Sequence, residues 1–167
     1  WNIYTAKIAR EEEVNFPNAT LIEEEAVLPV STKERFAPQF SPDGKELAFI
    51  EDRTKLMVVD LKTKKVRQVA DDKYQIRTGD GFTYTWSPDG KWFAMEIIGN
   101  RHDPYSDIAI VSADGKGEVV NLTNSGYFDS NPRWVLDGNA ILFSSERYGM
   151  RNHASWGSLQ DVMIVFM

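Results

Sequence analysis

His102 and His153 are the two histidines of a 167-residue chain. Arg101 precedes the first, and Arg151 stands two residues before the second. Imidazole can act as a general base, a proton carrier or a metal ligand near neutral pH. Ser155, two residues after His153, adds a hydroxyl that a base could activate. A spacing of two does not build a triad, because triad geometry is set in space. The nucleophile elbow Gly-x-Ser-x-Gly is absent, as are His-Glu-x-x-His, a Walker A loop and a Gly-x-Gly-x-x-Gly after a strand. Gly79-Asp80-Gly81 and Gly115-Lys116-Gly117 read as turns rather than phosphate cradles. With no Cys there is no disulfide, thiolate metal site or Cys nucleophile. These residues point to no catalytic group, no metal site and no cofactor in this chain.

What positions them is a repeat. Phe40-Ser41-Pro42-Asp43-Gly44-Lys45 returns as Trp86-Ser87-Pro88-Asp89-Gly90-Lys91, and in altered form as Trp134-Val135-Leu136-Asp137-Gly138-Asn139. The three Asp are spaced 46 and 48 residues apart, and a period in the forties is typical of four-stranded propeller blades. Pro presets φ in a tight turn, and Asp-Gly supplies its positive-φ end. The turn residues are Asp43, Gly44, Asp89, Gly90, Asp137 and Gly138. One carboxylate per turn falls short of the six to eight oxygens Ca²⁺ takes. Phe40, Trp86 and Trp134 recur immediately before the turn, which predicts packing between blades rather than a stacking platform.

An apolar strand follows each turn: Leu47 to Ile50, Phe93 to Ile98 and Ala140 to Phe143. The next strand is Leu56 to Leu61, Ile108 to Ala113 and Val162 to Met167. A fourth follows in two repeats, at Val66 to Ala70 and Glu118 to Leu122. No helical apolar period is sustained. The reading is all-β: a β-propeller fragment of about three four-stranded antiparallel blades. Residues 1–26 supply the third and fourth strands of a preceding blade, and 27–35 form a connector. Blades occupy 36–72 and 73–125, and 126–167 is a blade with three strands. Together they make a single partial propeller domain.

Alternating strand direction puts the connections between second and third strands on one face, with the connections between blades. The Ser-Pro-Asp-Gly turns fall on the other. The first face gathers Arg101, His102, Tyr105, Tyr127, Arg147, Arg151, His153 and Trp156, with Asp103, Tyr148, Tyr74, Arg77 and Asp129 nearby. Loops on a rigid scaffold are where binding residues collect, and aromatic residues with Arg are a hot-spot composition, which suggests a binding face without specifying its ligand. The competing reading is that both His are ordinary loop residues, bonded locally.

The net charge of −6 argues against a broad nucleic-acid face. No apolar run approaches the roughly 18–20 residues that span a bilayer, so no membrane insertion is expected. Hydrophobic residues make up 42%, enough for a core. The chain opens at Trp1 without a leader-like pattern and closes on an apolar strand. The expectation is a part of something longer, because bare strand edges invite aggregation. A homodimer that completes a ring is the alternative.

The Ser-Pro-Asp-Gly-Lys hairpin resembles TolB-type propeller repeats, found in TolB, prolyl oligopeptidase relatives and tricorn-like proteases. Asn121 to Tyr127, Pro132-Arg133-Trp134, Asp137 to Ile141, Ser145 to Arg151 and His153 to Ser158 resemble tricorn-like serine peptidases. That resemblance implies a propeller ahead of a PDZ-like module and a catalytic domain bearing the nucleophilic Ser, neither of them in this stretch. It implies a non-catalytic role in substrate access, peptide gating or scaffolding. Its partners would be the remaining blades, the catalytic domain, and a peptide or protein ligand. An exported, periplasmic location fits bacterial forms of this type. A TolB-like protein-interaction propeller is the second reading.

Overall fold

The computed structural model describes residues 1–75, 81–98, 105–149 and 159–167. Among them the chain forms thirteen β-strands and no α-helix. Strands β1 (Tyr4–Ile8) and β2 (Ile22–Ala26) pair as a two-stranded ladder. Blade I follows as β3 (Arg35–Phe40), β4 (Glu46–Glu51), β5 (Lys55–Asp60) and β6 (Val66–Ala70). Blade II is β7 (Tyr84–Trp86), β8 (Trp92–Ile97), β9 (Asp107–Ser112) and β10 (Val120–Asn121). Blade III has three strands, β11 (Asp129–Val135), β12 (Ala140–Ser145) and β13 (Asp161–Phe166). Every pairing is antiparallel, and within each sheet every strand pairs with its neighbours in sequence.

The middle strands read as unbroken apolar runs because both faces are buried. Side chains alternate across a strand, so each strand feeds two cores. On β4, Leu47 and Phe49 pack with Val27, Leu28 and Val59. Ala48 and Ile50 turn the other way, into the core shared by blades I and II. On β8, Phe93, Met95 and Ile97 enter that same core, while Ala94 faces blade III with Ile141 and Phe143. A one-residue register slip would exchange the two sets, so the pairing is strongly specified.

Two turns share one device. Asp43 accepts from the Ser41 hydroxyl (2.7 Å) and the Lys45 N–H (3.1 Å), and the Ser41 Oγ accepts the Glu46 N–H (3.0 Å). Ser87, Asp89, Lys91 and Trp92 repeat it at 2.6, 3.1 and 2.9 Å. Gly44 and Gly90 close these turns at φ 71 and 70°. At the third turn Val135 replaces the Ser, the device is lost, and Leu136, Asp137 and Gly138 all take positive φ.

The blades are stitched by aromatic donors. The Tyr84 hydroxyl donates to the Ala37 carbonyl, and the Trp86 indole N–H donates to the Gln39 carbonyl at 3.3 Å. The Trp134 indole N–H donates to the Thr85 carbonyl at 3.3 Å. Arg67 bridges blades I and II, gripping Glu46 through both terminal nitrogens and donating Nε to the Ala113 carbonyl at 2.8 Å. Gly115 makes a close approach here, since a Cβ on it would stand 2.4 Å from the Gln68 carbonyl oxygen.

Two expectations are corrected. Phe40 does not pack between blades but is 58% exposed, whereas Trp86 is buried and Trp134 packs against the core of blades II and III. The cause is positional. Trp86 and Trp134 dock on the first strand of the blade before their own, and the β1–β2 ladder ahead of Phe40 has no such strand. The fourth strand of blade II is also shorter than expected, with pairing confined to Val120 and Asn121.

Candidate functional site

The connection between β4 and β5 shares one face with the connector before β3, where the Asp52 N–H donates to the Glu34 carbonyl. The best-built corner lies where blade II meets blade III. Asp107 opens β9 and is almost fully buried. Its carboxylate accepts from the Asn121 amide (2.8 Å), the Thr123 hydroxyl (3.2 Å) and the Ser125 N–H (2.6 Å). Thr123 in turn accepts the Ile108 N–H at 3.0 Å. One buried acid therefore clamps the whole connector from 121 to 125. A buried carboxylate needs such donors to offset its lost hydration.

Asp129 opens β11 and is fully buried. Its Oδ2 accepts the Ser125 hydroxyl at 2.7 Å, and its carbonyl accepts the Ser106 hydroxyl at 2.8 Å. Its Oδ1 has no hydrogen-bond partner among the described residues. The two acids fix the path of residues 125 to 129, and this sets three aromatic rings. Tyr105 packs against Phe128 at 5.1 Å between ring centroids. Tyr127 lies under the Arg147 guanidinium, 5.9 Å from its Cζ. The Arg147 backbone N–H donates to the Ser145 hydroxyl at 3.2 Å, and its Nε is buried without a partner among the described residues.

The structure thus brings Tyr105, Tyr127 and Arg147 to one corner. Arg101, His102, Arg151, His153 and Trp156 lie outside the described residues, as do Arg77, Asp103 and Ser155. Sequence reasoning missed Phe128, Asp107 and Ser125. The alternation Asn121-x-Thr123 was a signal, because an amide and a hydroxyl side chain two positions apart can turn together on one buried acceptor, whereas the Ser125 hydroxyl goes to Asp129.

The corresponding corner of blade I is closed by ion pairs. Glu51 is buried and accepts from Lys33 (2.6 Å) and from Arg35 Nε (3.2 Å). Burial pushes its carboxyl up, but bonds and charge from Lys33 and Arg35 outweigh this and hold it below the ordinary glutamate value. Arg53 grips Glu34 through Nε (2.7 Å) and a terminal nitrogen (3.2 Å). Beside that pair, Trp1 and Phe36 frame a cleft of about 280 Å³.

A larger hollow of about 500 Å³ opens on the opposite face, between the turns of blades I and II. Ser41, Asp43, Lys45 and Asp89 help to line it. Lys45 and Ser41 draw the Asp43 carboxyl down to about 2, and Ser87 and the Lys91 N–H lower Asp89. These carboxylates already serve the turns. Among the described residues, no three His, Asp or Glu side chains gather to hold a metal ion.

The profile of the TolB beta propeller domain matches residues 23–153. The chain belongs to the TolB-type β-propeller family. A relative in Sulfurisphaera tokodaii, named as a tricorn-like protease C-terminal subunit, is 28% identical over 108 residues. That match takes 65% of this chain and 12% of the relative. The peptidase YuxL of Bacillus subtilis is 30% identical over 121 residues, taking 63% of this chain and 16% of its own. This TolB-type propeller therefore spans less than a fifth of the curated relatives it matches. The crystal structure of the tricorn protease superposes with a TM-score of 0.62 at 18% identity, over 86% of this chain and 14% of that one. At that identity the likeness shows the shared propeller fold.

Proposed function

We propose that this TolB-type propeller is the non-catalytic part of a tricorn-like serine peptidase. Its blade II–III corner would contact peptide on the way to a catalytic domain elsewhere in the longer protein. The observation that carries the reading is the joining of Tyr105, Tyr127, Phe128 and Arg147 on one rigidly held corner. Flat aromatic rings beside a guanidinium suit a peptide, because rings cover its apolar parts while Arg meets its carbonyls and carboxylates. The names of the protease and peptidase relatives support the same assignment. The remaining blades and the catalytic domain are its proposed partners. Access, gating and scaffolding would all act through where a peptide is held, rather than through the bond that is cut.

The test uses the full-length protein and a series of peptides. Tyr127→Ala should raise KM several-fold for peptides long enough to reach the propeller, with kcat unchanged. Cleavage of a dipeptide-sized substrate should not change. An unaltered KM for long peptides overturns the reading.

A further inference from the structure

Blades I and III carry the same corner with different residues, and the backbone makes the equivalence unambiguous. The Asp52 N–H donates to the Glu34 carbonyl at 2.9 Å, and the Glu146 N–H donates to the Phe128 carbonyl at 3.1 Å. Arg35 pairs with Glu51 across β3 and β4, and Asp129 pairs with Ser145 across β11 and β12. Arg53 and Arg147 each stand one residue after the bonded amide and so occupy the same place. In blade I the place is satisfied, since Glu34 takes the Arg53 guanidinium with both oxygens. In blade III, Phe128 stands where Glu34 would. Among the described residues Arg147 has no carboxylate partner, and its Nε is buried without a hydrogen bond. The Tyr127 ring lies beside its guanidinium.

We infer that the terminal nitrogens of Arg147 are a docking point for a peptide carboxylate, at the place where Glu34 answers Arg53 in blade I. The inference rests on the proposed peptide contact at this face. A guanidinium meets a carboxylate through two parallel hydrogen bonds, and the pairing strengthens away from water. The Tyr127 ring lies on one side of it, and the Tyr105–Phe128 pair supplies an apolar wall nearby. The carboxylate can come from a C-terminus or from an Asp or Glu side chain.

The experiment measures binding to the full-length protein by calorimetry. Three probes are used: an uncharged heptapeptide with a free C-terminus, its C-terminal amide, and that amide with one internal Glu. At least one carboxylate form should bind about tenfold tighter than the plain amide, as a charge-assisted pair implies. Which of the two gains identifies the source. Arg147→Gln should erase the preference, and Arg147→Lys should retain part of it. Phe128→Glu should erase it by supplying Arg147 with an internal carboxylate, as in blade I. Circular dichroism checks that each variant is folded. Equal binding of all three probes to the unaltered protein overturns the inference and leaves peptide contact standing. A preference that survives Arg147→Gln also overturns it. If no probe binds, both the inference and the peptide reading of this face fail. Should Arg147→Gln not fold, Arg147→Lys and Phe128→Glu decide.

Discussion

Single residues close the turns. Gly90 sits at φ 70°, and a Cβ there would meet only the Pro42 ring at 3.6 Å. The space is open, and the constraint is conformational. Gly90→Val should therefore lower stability by about 1–2 kcal/mol, the cost of the left-handed region for a residue with a Cβ. A lowered melting temperature checks this, and an unchanged one would contradict the turn's geometry. Glu51 sets a pH dependence. Its carboxyl is held below its ordinary value of 4.5 in the folded state. The stabilisation is then fully present above that value and is lost as pH falls through the folded one. Glu51→Gln should flatten the loss of melting temperature between about pH 5 and pH 3 relative to the unaltered protein. The turn residues were legible in the sequence because Pro, Asp and Gly each act within a few positions. Arg147 was legible as a candidate, but its lack of a carboxylate among the described residues was not. The carboxylate that answers its counterpart Arg53 lies 19 residues away, at Glu34, and only folding shows which place is filled.

At the scale of the element, strands were legible because each middle strand alternates between two cores. Leu47 and Ala48 are both buried, yet they serve different interfaces. The tie between blades was less visible, since it joins a side chain to a backbone carbonyl about one repeat back. Tyr84 is the clearest case: burial raises its phenol well above the ordinary tyrosine range, and its hydroxyl meets the Ala37 carbonyl. Tyr84→Phe should cost about 1–2 kcal/mol, because that carbonyl loses its side-chain donor. Trp86→Ala should cost about 3–5 kcal/mol by opening a cavity in the core of blades I and II. Chemical denaturation of both variants measures this. Equal losses would mean that the hydroxyl matters as much as the packing. Phe40 marks the limit of pattern reading. It has the same motif place as Trp86, but its burial depends on a strand that this stretch does not contain.

The molecule as a whole has two open flanks. Val162, Ile164 and Phe166 line the outer side of β13 at 75, 43 and 68% exposure, while Met163 and Val165 face the core of blades II and III. Phe40 opens the other flank. Apolar patches of this kind are covered in stable assemblies. The chain on its own should therefore associate without a fixed stoichiometry as concentration rises. Val162→Lys with Phe166→Lys should reduce that association in light scattering and leave the melting temperature within about 2 °C. A sharp dimer unaffected by these changes would point to a different contact.

Tyr84, Trp86 and Trp134 all reach backward along the chain, each finding its acceptor in the blade made before it. A ribosome releases the acceptor first and the donor second. Each new blade thus leaves the exit tunnel toward a surface that already has its half of these three bonds, so growth of the propeller and synthesis of the chain run in the same direction.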